Sequence, residues 1–296
     1  MRSGVFHIFS ISGLHVGVIA GAILAVLGVL RVPRRAGSVV GLAVLWLYVQ
    51  VTGGSTPAER AFLMIAFLVS SRVFLLPGNP LAALAGAAFV TLLDDPRQLF
   101  TTGFQMSYSV VTALVVLGGP LADAWRAAWK PWRYQPEAGW NRAQRFTRWL
   151  GGHALVVAAI TWTACVASTP SSIANFGIFS PGALLGNLLV VPLASLAIVA
   201  GFVALLFGLA GLLPVTLLVN HAAAVLILVM DRLVQRGTEL PGVYFPAEFA
   251  APWMGPAAVI AVTATMLLAG ARRTAHRQWW PVTVLATVLI LSVNFG

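Results

Sequence analysis

Apolar stretches long enough to cross a lipid bilayer recur along the whole length of this chain. A spanning helix needs about 20 mostly apolar residues, and a helix satisfies its own backbone hydrogen bonds where water is absent. Only 9% of the 296 residues are charged, whereas a soluble domain has about 25%. We therefore expect an all-α fold, a polytopic membrane helix bundle of about ten spans forming one domain over residues 1–296. The predicted spans are 13–30, 38–52, 60–76, 80–93, 99–119, 151–168, 181–213, 216–235, 254–270 and 279–295.

The predicted span 181–213 is too long for one straight crossing. It contains Pro192, and a proline inside a helix removes a backbone hydrogen bond and kinks or breaks the helix. Two arrangements follow, either one long kinked helix or a broken, re-entrant pair of helices. Pro192 and Gly13, at the start of the first span, are the predicted hinge positions.

Basic residues outnumber acidic residues by 18 to 8, which gives a formal net charge of +10. Membrane proteins concentrate Lys and Arg in their cytoplasmic connections; attraction to a polyanion such as nucleic acid is the alternative explanation. Clusters of basic residues follow the first and fifth predicted spans, and the single Arg72 marks the same side at the third, so these connections are predicted to be cytoplasmic. We therefore expect a multi-pass protein whose two termini both lie outside the cytoplasm.

Tryptophans and basic residues alternate in the connection 120–150. Indole rings interleaved with cations are typical of an amphipathic helix lying in the headgroup plane, which is the preferred interpretation. A nucleic-acid face, with stacking rings and phosphate-binding arginines, would show a similar pattern. The candidate cytoplasmic phosphate contacts are Arg126, Arg133, Arg142, Arg145 and Arg148.

Polar side chains recur near the outer ends of four spans that all run in the same direction. At 1.5 Å per residue they fall within roughly one 10 Å slab of the outer leaflet. We interpret them as a polar ring at the mouth of a cavity or conduit, where Arg60 would favour an anion. The predicted substrate-contacting or pore-lining residues are His7, Ser12, His15, Arg60, Gln105, Ser107 and Asn187.

Catalysis is the competing interpretation of the first of these residues. Ser12 and His15 lie one helical turn apart, but no acidic residue lies nearby in sequence to orient the histidine. His7 and His15 differ by about 80° around a helix, and no paired His or Cys spacing indicates a metal. We therefore expect no catalytic residue, no metal, no cofactor and no enzymatic activity.

Four stretches, in order, resemble the ComEC competence family. These are Ser-Gly-Leu-His within His7–Val16, Pro-x-x-Arg-Ala within Pro57–Met64, Gly-Phe-Gln-x-Ser in Gly103–Tyr108, and Phe-Gly-x-x-Ser-Pro in Phe176–Pro181 followed by Asn187 and Pro192. The resemblance implies an inner-membrane channel that passes single-stranded DNA into the cytoplasm during natural transformation. It also implies the lipid bilayer and other competence proteins as partners, such as a DNA receptor, a nuclease, and a cytoplasmic helicase or single-strand-binding protein.

Two further expectations follow from where this sequence departs from that family, and two alternative functions remain from the residues themselves. The OB-like and metallo-β-lactamase-like domains of full-length members are absent from these 296 residues, so only the transmembrane competence domain is expected. The chain is then a truncated or split gene product, or a remnant that needs a separate nuclease partner. A permease for a small anion or another solute is the alternative function, and a membrane-embedded hydrolase is the least favoured.

Overall fold

The computed structural model of the chain describes residues 13–132, 134–136, 139–271 and 293–295. Of the predicted residues, His7, Ser12 and Arg133 lie outside these ranges, as does most of the last predicted span. The helices are α1 Gly13–Val29, α2 Arg34–Val51, α3 Thr56–Val73, α4 Pro80–Asp94, α5 Thr102–Ala113, α6 Gly119–Ala128, α7 Arg142–Phe176, α8 Gly182–Leu209, α9 Leu213–Glu239 and α10 Met254–Ala271. A 3₁₀ turn, Pro96–Phe100, precedes α5, and a π-helical turn, Leu114–Gly118, joins α5 to α6.

The helical character predicted from the sequence is confirmed. The apolar helices show that the protein is a membrane protein. By length and composition, four helical segments of the described chain can cross a membrane: Thr102–Ala128, Arg142–Phe176, Gly182–Leu209 and Leu213–Glu239. Gly13–Val29, Pro80–Asp94 and Met254–Leu268 are shorter apolar helices. The long helices expose large apolar side chains, such as Leu185, Leu189 and Leu196 on α8, which is the surface that a lipid environment favours.

Local sequence explains where several helices begin and end. Asn79 Oδ1 accepts hydrogen bonds from the backbone N–H groups of Leu81 and Ala82 at 3.0 and 3.3 Å, and Pro80 follows as the first residue of α4. Such a cap satisfies backbone donors that have no partner within the helix. At the other end of a helix, Gly177 ends α7 with φ of 64°, a conformation that glycine adopts without steric cost.

The chain forms two compact units, which are described separately. Unit 1 contains residues 1–104 and 180–244, and unit 2 contains residues 105–179 and 245–296. In unit 1, α1, α2 and α3 pack around a buried apolar cluster that includes Val16, Ile23 and Leu45. A second cluster, Val190, Ala194 and Met230, joins α8 to α9.

Helix α8 is continuous through Pro192. Of the two arrangements expected for 181–213, the structure therefore shows one long helix rather than a broken or re-entrant pair. The short connection to α9 contains Gly211 with φ of 74° and brings the two helices into a closely packed hairpin. Packing along this hairpin compensates for the backbone hydrogen bond that Pro192 does not make.

In unit 2, α7 packs against α6 and α10, and Ala113, Ala167, Val262 and Met266 form a buried cluster. Gly255 lies so close to α7 that a Cβ at this position would be 2.7 Å from Ala174 Cβ. The segment 120–150 contains nearly all of α6, a connection and the start of α7, rather than one helix. Pro131 and Pro136 lie in that connection and do not suit a helix interior.

Unit 2 also contains a small antiparallel sheet in the order β1–β2–β3, formed by Ile178–Phe179, Phe245–Phe249 and Val293–Phe295. Ile178 pairs with Pro246, and Ala247 pairs with Phe295. This small sheet is the part of the described chain that the all-α prediction does not include, and β3 overlaps the end of the predicted span 279–295. The pairing buries Ala247 and Val293 against Ile173 of α7, and hydropathy does not distinguish a short buried strand from a helix.

Candidate functional site

Arg60, in the second turn of α3, is buried inside unit 1. Only 3% of its surface is exposed. Its Nη2 donates a hydrogen bond to the carbonyl oxygen of Gly103 at 3.0 Å, which links α3 to the first turn of α5. Gly103 leaves space for this contact, because a Cβ at that position would lie 3.3 Å from Nη2. Burying a guanidinium is costly unless its donors are used, so this contact is a specific feature of the fold.

The first turn of α1 lies beside Arg60 and the start of α8. A Cβ at Gly13 would be 3.5 Å from Ala61 Cβ, and Leu14 packs against the cluster of Val190, Ala194 and Met230. The start of α1 therefore contacts both α3 and the cluster that joins α8 to α9, and the space at Gly13 would admit a Cβ.

His15 and Asn187 lie at the same end of unit 1 as Arg60. His15 is half-buried and directly follows Leu14. Asn187 is also half-buried, one turn before Val190 on α8, and its Oδ1 atom is enclosed by protein. The structure thus brings three of the predicted residues, from α1, α3 and α8, to one end of the unit.

The remaining predicted lining residues are located as follows. Gln105 and Ser107 belong to unit 2, in the turn of α5 that follows Gly103, and both are half-buried. His7 and Ser12 lie outside the described residues. That these side chains line a conduit, and that Gly13 and Pro192 act as hinges, stays a prediction. Among the described residues, no group of three or more His, Cys, Asp or Glu side chains could hold a metal ion.

A second polar region lies in unit 2, where α6 and α7 meet. It is a cavity of about 430 Å³ lined by Arg126, Trp140, Arg145, Arg148, Trp149 and Gly152, and we call it the arginine–tryptophan pocket. It contains three of the five arginines predicted as phosphate contacts. Arg142 is exposed at the start of α7 and is not part of the described lining.

Contacts between the α6–α7 connection and the start of α7 build this pocket. Asn141 Oδ1 accepts from the backbone N–H of Gln144 at 2.8 Å, and Gln144 Oε1 accepts from the backbone N–H of Asn141 at 2.9 Å. This reciprocal capping box fixes the first turn of α7. Gln144 Nε2 also donates to Gln135 Oε1 at 2.9 Å, and Trp140 Nε1 donates to the Gln135 carbonyl at 3.2 Å.

The sequence analysis did not predict the roles of two adjacent glycines, Gly152 in the pocket lining and Gly151 next to it. The indole of Trp129 lies directly on Gly151, where a Cβ would come within 2.6 Å of the ring. The side chain of Arg126 passes Gly152, with Cγ at 3.7 Å from the position of a Cβ. The sequence does contain a signal for this close packing. It is a Gly-Gly pair near the start of an apolar helix and next to tryptophans, because glycine in a helix interior is unfavourable unless close packing requires it.

Comparisons with known proteins place the chain among competence proteins. A family profile described as "Competence protein" matches residues 1–291. The chain is 32% identical over 115 residues to ComE operon protein 3 of Bacillus subtilis (strain 168). That alignment covers 39% of this chain and 15% of the relative, so the chain matches a small part of the relative's length. No solved structure matches the chain.

Proposed function

The chain belongs to the competence protein family, and we propose that it forms a conduit that passes single-stranded DNA into the cytoplasm during natural transformation. In this proposal the protein lies in the bacterial inner membrane. The end of unit 1 that contains His15, Arg60 and Asn187 faces outward, and the arginine-rich end of the α6–α7 hairpin faces the cytoplasm. A DNA receptor, a nuclease and a cytoplasmic DNA-binding protein would act before and after it.

The observation that supports this proposal best is the convergence of polar side chains from three apolar helices of unit 1 at one end. Polar residues within membrane helices are costly and usually serve a pathway or a specific contact. His15 and Asn187 are half-buried, so part of each side chain remains accessible to a solute. We propose that they contact the strand directly, through neutral hydrogen-bonding groups.

Arg60 has a different role in this proposal. Because its guanidinium is buried and bonded to the Gly103 carbonyl, we assign it as a positioning residue that fixes the start of α5 relative to α3. Gln105 and Ser107, predicted from the sequence as further lining residues, follow on the same helix. We propose no catalytic step for this chain, since these groups donate and accept hydrogen bonds without an activated nucleophile among them.

Transformation of the host with linear marker DNA tests the proposal. Chromosomal His15→Ala and Arg60→Gln variants should each lower the transformation frequency by at least tenfold, roughly the effect of removing one well-placed hydrogen-bonding group. Arg97→Gln removes an exposed arginine of the same unit and is the matched control. Immunoblots of membrane fractions show whether each variant is present at wild-type level. Wild-type transformation by both variants at normal abundance would exclude the proposed roles.

A further inference from the structure

We propose that the arginine–tryptophan pocket of unit 2 binds the phosphate of an anionic phospholipid headgroup. The pocket lies wholly within unit 2, and the proposal does not depend on DNA transport. It concerns the lipid that surrounds the protein rather than the molecule that passes through it.

The charge of the pocket defines the chemistry of its ligand. Arg126, Arg145 and Arg148 line it, and none of its described lining residues is acidic. Arg148 Nη1 is buried and has no hydrogen-bond acceptor among the described residues. A guanidinium presents parallel N–H groups that match two oxygens of a phosphate, so three guanidinium groups around one cavity suit a phosphate ligand.

The position of the pocket indicates that this phosphate belongs to a lipid. Arg148 is the last charged residue of α7, and the helix continues through an apolar segment to Phe176. The pocket therefore lies at the boundary between the polar and apolar parts of a candidate membrane span. Basic pockets at such boundaries bind anionic headgroups.

Aromatic side chains beside the pocket support the same assignment. Trp149 and Phe146 are 56% and 60% exposed, and their ring centroids lie 6.0 Å apart. Exposed tryptophans of this kind anchor helices at the headgroup level of a bilayer.

A nucleic acid is the less favoured ligand for this pocket. Bases of a single strand stack on free aromatic faces, whereas Trp140 is in edge contact with Trp132, at 5.7 Å between centroids. The Trp140 indole N–H is also bonded to Gln135. A cavity of about 430 Å³ can hold a compact headgroup.

A bound headgroup would connect two helices. Arg126 comes from α6, and Arg145 and Arg148 come from successive turns at the start of α7. One phosphate held by both helices would offset part of the repulsion among these three like charges and stabilise the hairpin. The expected consequence is saturable binding of a small number of anionic lipids, which differs from the weak exchange of lipids around the rest of the surface.

Native mass spectrometry of the purified full-length chain in detergent, titrated with phosphatidylglycerol or phosphatidylcholine, tests this. Wild-type protein should bind phosphatidylglycerol preferentially. The double variant Arg145→Gln/Arg148→Gln should bind it at least roughly tenfold more weakly, since each basic residue near an anionic lipid contributes to binding. Arg232→Gln/Arg236→Gln removes the same charge from exposed positions on α9 in unit 1 and should bind like wild type.

Two further measurements keep the result interpretable. Arg145→Lys/Arg148→Lys retains the charge but not the paired N–H groups, so its binding should fall between that of wild type and that of the glutamine variant, which separates loss of the site from loss of folding. Glycerol 1-phosphate competing at concentrations similar to the lipid would show that the site takes free phosphates, and would overturn the lipid assignment. Three other results would also overturn the proposal. Phosphatidylcholine could bind as well as phosphatidylglycerol, or the glutamine variant could bind phosphatidylglycerol like wild type. The third result is oligonucleotide binding that depends on the same arginines while lipid binding does not.

Discussion

Arg60 and Arg148 place the same guanidinium group in two opposite settings. Arg60 is almost completely buried in unit 1 and donates to a backbone carbonyl of the same unit. Arg148 lines an open cavity in unit 2, and its Nη1 has no acceptor among the described residues. The first arrangement uses the guanidinium to build the fold, and the second places the guanidinium at the wall of a cavity. An arginine in a membrane protein is therefore classified by what its donors contact rather than by its depth.

Substitution of Arg60 should have the largest effect on the stability of the protein. Arg60→Ala removes the donor to Gly103 and a large buried side chain, so we expect the stability of the purified protein to fall by about 3 kcal/mol. Thermal unfolding in detergent, followed by circular dichroism, measures the change. Arg97→Ala, an exposed arginine of unit 1, should change stability by no more than about 0.5 kcal/mol. If both variants unfold at the wild-type temperature, Arg60 has no structural role.

Alanine substitutions at the glycines beside the two arginine regions should have a smaller effect on stability. A Cβ at Gly103 would meet only the flexible end of Arg60, at 3.3 Å, whereas a Cβ at Gly151 would lie 2.6 Å from the rigid Trp129 ring. We expect Gly151→Ala to destabilise the protein by about 1–2 kcal/mol through overpacking. Gly103→Ala should remain within about 0.5 kcal/mol of wild type, because alanine favours the helix.

Thermal midpoints of the two alanine variants, measured side by side with wild type, decide this prediction. Gly151→Ser is a second variant of similar size, and it should be destabilised like Gly151→Ala if the steric contact is the cause. Destabilisation by Gly103→Ala equal to that by Gly151→Ala would mean that the space beside Arg60 is as tightly filled as the space beside Trp129.

The sequence predicts the helices well where local signals and apolar pattern agree. The span 80–93 corresponds to α4, Pro80–Asp94, because Asn79 and Pro80 define its start in the sequence itself. The strands are missed because they are short and depend on pairing between distant segments. Val293 is buried in a cluster with residues of distant segments, among them Ile173 and Ala247, and no period within its own segment indicates this.

The candidate site shows the same division between local and tertiary information. Charge and tryptophan content predicted Arg126, Arg145 and Arg148 as candidate phosphate contacts, which stays a prediction, and the structure places all three around one cavity. The burial of Arg60 was not predicted, because it depends on Gly103, which is 43 residues away in sequence. A hydrogen bond of this range is specified by helix packing, and the local sequence around Arg60 contains no signal for it.

The smallest expected effect concerns the like charges of the arginine–tryptophan pocket in the absence of anionic lipid. Arg126 and Arg145 are exposed and Arg148 is half-buried, so their mutual repulsion is weak and screened by solvent. Arg145→Gln should therefore leave stability in neutral detergent unchanged or raise it, by no more than about 0.5 kcal/mol. Any gain should disappear in about 1 M salt, where screening acts over about 3 Å.

Thermal unfolding of wild type, Arg145→Gln and Arg60→Ala at low and high salt measures this effect. Salt should change the difference between wild type and Arg145→Gln, but it should not change the difference between wild type and Arg60→Ala, because the Arg60 guanidinium is shielded from solvent. A loss of stability in Arg145→Gln at low salt would mean that Arg145 already makes a stabilising contact within the protein. The charge of Arg145 would then stabilise the fold, as that of Arg60 does, and an anion bound in the pocket would add less stability.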